Sequence, residues 1–205
     1  MYQNDPKRVL TPECRLSYAN LVTPKASQSN PGAEPKYSVT LLIPKSTGVK
    51  AELDAAIEAA AQEAVASKWN GARPPRLESV VHDGDGYRPS GDKFGPECAG
   101  CWVVTASSRV KPYVCGMDNI NCELAPTDIY SGMYARVSIN FYGYAAAGKR
   151  GVGCGLRGVM KTRDGEPLSA AVVTASEFSG VGNAAGAPAP APAPYRVDPI
   201  TGKPI

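Results

Sequence analysis

Histidine is nearly missing from this chain: His82 is the single one in 205 residues. A histidine-based catalytic triad or a multi-histidine metal site is excluded except through that one residue. Long apolar runs are missing too. No stretch approaches the roughly 18 residues that a membrane span needs. The opening Met1-Tyr2-Gln3-Asn4-Asp5-Pro6 has neither the basic start nor the apolar stretch of an export signal. The expectation is a soluble protein that is not secreted, in a reducing compartment. Its six cysteines (Cys14, Cys98, Cys101, Cys115, Cys122, Cys154) are then free thiols.

Other absences concern chemistry. Gly151-Val152-Gly153-Cys154-Gly155 superficially suggests a nucleotide fingerprint, but it opens no helix and lacks the lysine and hydroxyl of a phosphate loop, so close backbone packing accounts for it better. Cys98-Ala99-Gly100-Cys101 with Cys115 and Cys122 supplies four thiols, yet the second spacing is wider than a zinc knuckle, and structural thiols are the better reading. Asp83, Asp85 and Asp92 near His82 offer a divalent-cation site on paper, but a Gly/Asp-rich stretch is more often only a loop. No nucleophile and base stand at a recognisable spacing. Neither a metal nor another cofactor is expected, and no catalytic residue.

What is present is an uneven charge distribution. Residues 1–50 carry seven basic and three acidic side chains, residues 51–130 seven and twelve, and residues 131–175 six and two, so the net +3 hides two basic segments around an acidic one. From Ser131 to Arg163 there are six basic residues and no acidic one. Such a stretch attracts a polyanion.

The pattern reads as mainly β. Strands are expected at residues 8–22, 36–43, 100–106, 110–115, 132–145 and 152–162, and one helix at 49–69 capped by Ser46 or Thr47. In the second strand Tyr37, Val39, Leu41 and Ile43 share a core face, and the opposite face should be wet. Residues 71–99, rich in Gly, Pro and Asp, read as a long surface loop or flap. One domain over residues 1–175 is followed by a low-complexity Ala/Pro/Gly tail over 176–205, whose composition cannot bury enough apolar surface to order itself.

The strand beginning at Gly132 is the most informative segment. Met133, Ala135, Val137, Ile139, Phe141 and Gly143 alternate with Tyr134, Arg136, Ser138, Asn140, Tyr142 and Tyr144. An apolar face thus backs a face of tyrosines, an arginine and hydrogen-bonding groups. Proteins that bind single strands without reading sequence combine a positive groove for phosphates with rings on which bases stack. The candidate contact residues are Tyr134, Arg136, Tyr142, Tyr144, Lys149, Arg150 and Lys161, joined by Arg15, Lys25 and Lys36.

Four segments carry a resemblance: Thr11 to Pro24, Lys36 to Lys45, Tyr130 to Tyr144, and Gly151 to Pro167. In this order they resemble the single-stranded-DNA-binding proteins of tailed phages. The resemblance implies an oligonucleotide/oligosaccharide-binding (OB) fold, a five-stranded Greek-key barrel with an inserted helix. It implies sequence-independent protection of single-stranded DNA in phage replication and recombination, in the cytoplasm of a bacterial host, without enzymatic activity. Partners would be single-stranded DNA, phage or host replication proteins, and further copies along the strand. The chain departs from a common pattern in ending Arg196-Val197-Asp198-Pro199-Ile200-Thr201-Gly202-Lys203-Pro204-Ile205 rather than in an acidic tail. Two other classes stay open on the residues alone: a metal-dependent nuclease or recombination factor using His82, Asp83, Asp85 and Asp92, and a phage structural or scaffold protein.

Overall fold

A computed structural model describes residues 5–26, 32–146 and 148–168. The expected tail over 176–205 lies outside the described residues. Along the chain run β1 (Arg8–Leu10), β2 (Cys14–Lys25), β3 (Lys36–Pro44), α1 (Lys50–Ser67), β4 (Val81–Asp83), β5 (Cys101–Ser108), β6 (Tyr113–Gly116), β7 (Tyr134–Ala146) and β8 (Lys149–Arg163). The sheet closes on itself: β7 pairs β2, β2 pairs β3, β3 pairs β5, β5 pairs β8, and β8 returns to β7. All these pairings are antiparallel except β5 with β8, which run parallel where Ser107 meets Gly155. Strands β1, β4 and β6 extend the ring by pairing β7, β5 and β8.

Alternation decides what fills the barrel. Val39, Leu41 and Ile43 of β3, Val104 and Ala106 of β5, and Val137, Ile139 and Phe141 of β7 are fully buried in one cluster with Leu16 and Leu21 of β2. The alanine-rich α1 is a strong helix former with small side chains. Leu53, Ala56, Ala60, Ala61 and Ala64 form its buried face, and it lies so close to β7 that a Cβ at Gly143 would collide with that of Ala64. Past its end, Trp69 is fully buried and donates its indole N–H to the Tyr144 carbonyl at 2.9 Å, while Lys68 bonds the Gly143 carbonyl and Arg150 the Trp69 carbonyl. The helix end therefore clamps the tip of the β7–β8 hairpin.

Three expectations change. Ser46 and Thr47 do not cap α1: they sit in a 3-10 turn over Lys45–Thr47, where the Thr47 hydroxyl donates to the Pro44 carbonyl at 2.7 Å, and Val49 stands at the N-cap. Residues 8–22 form two strands, not one, broken at Thr11–Glu13 around Pro12, which cannot donate to a ladder. The region 71–99 is not a free flap. Within it β4 pairs β5, a bridge joins Tyr87 to Lys93, and Phe94 and Cys98 pack on Leu42 and Val103. Leu42 is thereby buried, so the supposedly wet face of β3 is covered at this end. Gly84 permits the closure, because a Cβ there would run into the Cys98 carbonyl. Among the described residues no helix is long and apolar enough to cross a membrane.

Candidate nucleic-acid interface

Strand β7 adopts the alternation of its sequence: Met133, Ala135, Val137, Ile139 and Phe141 are fully buried, and the residues between them point outward. Opposite that outer row β8 supplies glycines, with Asn140 facing Gly155, Tyr142 facing Gly153 and Tyr144 facing Gly151. A Cβ on Gly153 would stand 2.8 Å from Cζ of Tyr142, one on Gly151 2.7 Å from Oη of Tyr144, and one on Gly155 2.6 Å from Oδ1 of Asn140. The three side chains lie across the bare backbone of their neighbour. The glycines at alternate positions, which resemble a nucleotide fingerprint in one dimension, serve as seats for rings. Tyr142 remains 39% exposed, and burial of its phenol raises the pKa above the usual range.

The tyrosines border a cavity of about 310 Å³ that also touches His82, Thr105 and Ser107. A larger one of about 890 Å³ is lined by Tyr18, Asn20, Lys25, Lys36 and Ser38, and it too reaches Thr105 and Ser107. The two cavities adjoin at those two residues of β5 and together make a groove bordered by β2, β3, β5, β7 and β8, with Glu34, Glu78 and Glu97 in its lining beside the lysines. Its floor is made of hydroxyls and an amide: Thr40 bonds Thr105 at 3.2 Å, and Asn20 donates to Ser38 at 3.2 Å. Such a floor offers donors and acceptors without committing to one base.

The expected contact residues divide among several places. Tyr142 and Tyr144 line one of the two adjoining cavities, and Lys25 and Lys36 line the other. Lys149 and Arg150 are exposed at the hairpin tip beside it, with Arg150 also bonded to the Trp69 carbonyl. Arg136 is exposed on the same face as Tyr142, but six residues of extended strand separate them, about 20 Å.

Three expected contacts have partners within the chain. The ring of Tyr134 is covered on part of its surface: the Arg163 guanidinium lies 3.4 Å from its centroid, and Gly165 packs so closely that a Cβ there would be 2.8 Å from the ring. Arg15 beside it spends its guanidinium on the carbonyls of Gly132 and Glu166. Lys161 is 13% exposed, pairs with Asp164 at 2.7 Å and donates to the Asp128 carbonyl at 2.9 Å, in a separate cavity of about 550 Å³. The acid-free stretch is not acid-free in space. Glu13, from the other end of the chain, pairs Arg163 at 3.0 Å, and Asp164 follows one residue after the stretch ends.

Tyr18 is the groove residue that the periodic pattern does not reveal. It is 64% exposed with φ at +48°, where the β2–β3 register shifts between Ser17 and Asn20. A bulge breaks the alternation that would flag it. A tyrosine in the left-handed region costs on the order of 1 kcal/mol, a strain that concentrates at functional sites.

The paper metal site is otherwise engaged. The Lys45 ammonium bonds Asp83 and, at 2.6 Å, Asp85, standing where a cation would stand and holding both carboxyls below their usual range. Ser90 donates to Asp92 at 2.9 Å. Among the described residues no group of three or more His, Cys, Asp or Glu is arranged to hold a metal. All six cysteines are free thiols. Burial pushes Cys14 and Cys154 up to about 12 and Cys98 up to about 11, and raises Cys101 and Cys115 as well. A thiol reacts as thiolate, and raising its pKa starves that form. Labelling of the native protein with a thiol reagent at pH 8 should therefore show one fast site, the exposed Cys122, a slower one at the half-buried Cys101, and the four buried thiols waiting for unfolding. Fast loss of Cys14 or Cys154 in a peptide map would contradict the packing described.

A barrel closed in the order β2-β3-β5-β8-β7, with one parallel pair and a polar groove over β3 and β5, is an OB-fold. The chain belongs to the family of the Enterobacter phage Enc34 ssDNA-binding protein, whose family model matches residues 7–187. It is similar to the putative protein p50 of Acyrthosiphon pisum secondary endosymbiont phage 1, with 31% identity over 168 residues, 80% of this chain and 87% of the relative. Among solved structures it resembles the single-stranded DNA-binding protein of bacteriophage Enc34 in complex with ssDNA. There the identity is 28%, the coverage 80% of this chain and 90% of that one, and the TM-score 0.66. The bacteriophage T7 single-stranded DNA-binding protein gp2.5, at 13% identity and TM-score 0.53 over 88% of this chain and 97% of that one, shares the fold.

Proposed function

We propose that this chain binds single-stranded DNA without sequence preference along the groove over β3 and β5, protecting the strand during phage replication and recombination in the host cytoplasm. The observation that carries the reading is the seating of Tyr142 and Tyr144 on the glycines of β8, beside a hydroxyl-lined groove with Lys25 and Lys36 at its rim. Flat rings hold bases of any kind, and cations hold the backbone. Membership of a family named for this activity, and likeness to a relative solved with ssDNA, support it. In this reading Lys149 and Arg150 extend the contact at the hairpin tip, Arg136 lies outside the groove, and Tyr134, Arg15 and Lys161 support the fold near the β7 start. The DNA-binding unit is residues 1–175.

The protein acts by binding, with no chemical step. Titrating a fluorescent oligothymidylate should give tight binding at low salt. With Lys25, Lys36, Lys149 and Arg150 as phosphate contacts, log K should fall against log salt with a slope of about −3. The labelled strand should stay intact after incubation with Mg²⁺ or Mn²⁺. Absence of binding at low salt removes the proposal, and cleavage would move the protein into the enzyme class.

A further inference from the structure

The rim of the groove carries a charge that the two lysines do not explain. Lys25 of β2 and Lys36 of β3 are registered partners. The pairing of β3 with β5 reaches Tyr37 and Ser108, the residues next to Lys36 and Arg109, so Arg109 leaves the sheet at the same end as Lys36. Three cations thus lie at one end of three neighbouring strands, two of them directly paired and neighbouring strands about 4.8 Å apart. Among the described residues Arg109 has an anion on it: its Nε lies 3.0 Å from Oε2 of Glu34, with the two side chains 71% and 65% exposed. Glu34 lines the same cavity as Lys25 and Lys36. Arg109 is also near enough to the tyrosine side for its positive charge to oppose, as the smallest of the contributions, the burial that raises the Tyr142 phenol.

We propose that Arg109 is a phosphate-binding residue of this groove, held in the DNA-free protein by Glu34, whose carboxylate occupies the position a phosphate takes when the strand displaces it. The inference rests on the reading of the groove as a DNA-binding surface. Carboxylate and phosphate are the two anions that fit a guanidinium fork, so one can replace the other on the same donors. An ion pair this exposed is worth little in water and yields readily to a polyanion already held by neighbouring lysines and rings. The exchange needs no movement of the backbone: the Glu34 side chain swings into solvent as the phosphate arrives. It also sets a path, with the DNA backbone crossing the strands along Lys25, Lys36 and Arg109 and the bases turned toward Tyr142.

A double-mutant cycle with fluorescent oligothymidylate at low salt tests this. Arg109→Gln should weaken binding by about five-fold or more, the loss of a charge-assisted contact. Glu34→Gln should tighten it about two- to five-fold, the range an exposed ion pair allows. The decisive comparison is Glu34→Gln in the Arg109→Gln background, where the gain should shrink to less than half of its value beside Arg109. Arg109→Lys, which keeps the charge and loses the fork, should fall between wild type and Arg109→Gln. Unchanged affinity in Arg109→Gln overturns the proposal. So does an equal Glu34→Gln gain in both backgrounds, which would make Glu34 a through-space repeller only. Failure of the wild-type chain to bind would overturn the underlying reading as well, so the two failures are distinguishable. Circular dichroism and melting temperature should not change in any variant, both side chains being in solvent.

Discussion

Replacing Tyr142 with alanine should weaken binding of an oligothymidylate by about 1–3 kcal/mol, a factor of about 5 to 150 in Kd. Of the two tyrosines seated on β8, this is the more accessible, at 39% exposure against a half-buried Tyr144. Its ring lies over Gly153 on one side and borders the cavity containing Thr105 and Ser107 on the other, so a base can add to a surface already flat and fixed. Little side-chain freedom is lost on binding, which lets the stacking energy appear in the affinity. Tyr142→Phe keeps the ring and should stay within about two-fold of wild type, since stacking does not need the hydroxyl. Tyr144→Ala should cost less, because less of its ring reaches the groove. Equilibrium titration at fixed salt checks the series. Tyr142→Ala with wild-type affinity would place the bases elsewhere in the groove.

The barrel was legible where a single strand carries its own pattern. In β7 six apolar or small residues alternate with six polar or aromatic ones, and no tertiary contact is needed to know which row turns inward. The role of Gly151, Gly153 and Gly155 was half legible. Their spacing says that something comes close, and only the β7–β8 register shows that it is Asn140, Tyr142 and Tyr144.

What could not be read came from pairs far apart in sequence. Lys161 and Arg163 look free in a stretch without acids, but Asp164 and Glu13 neutralise them, the latter from 150 positions away. Alternation marks Tyr134 as an outer residue and cannot tell that Arg163 caps its ring. Leu42 stands on a face that alternation calls wet, and burial comes from Phe94 and Cys98, which period-two reasoning on β3 does not include. Tyr18 fails differently, since its strand bulges and the period is lost at that residue. Apart from Tyr18 and the neighbouring Lys161–Asp164 pair, each miss lies where a property of the surface depends on what a distant segment places there.

The same dependence on a distant segment holds the site in shape, and Trp69 measures it. Trp69→Ala should destabilise the protein by about 3–5 kcal/mol, the usual cost of removing a fully buried aromatic side chain. For a chain of this length that corresponds to a fall in melting temperature of about 6–20 °C. Packing is only part of the loss. The indole N–H satisfies the Tyr144 carbonyl at 2.9 Å, and the Trp69 carbonyl accepts from Arg150 at 3.1 Å, so the residue joins the end of α1 to both strands of the tyrosine hairpin. Two residues in the left-handed region, Asn70 at φ +53° and Gly71 at +77°, turn the chain away just after it. Trp69→Phe keeps most of the apolar contact but leaves the Tyr144 carbonyl without its donor, and should lose about 1–3 kcal/mol. Melting curves followed by circular dichroism separate the two contributions. An alanine variant that melts within about 2 °C of wild type, less than the shift from 1 kcal/mol, would mean that the helix end does not brace the hairpin, and the fixed geometry of Tyr142 and Tyr144 would then need another cause.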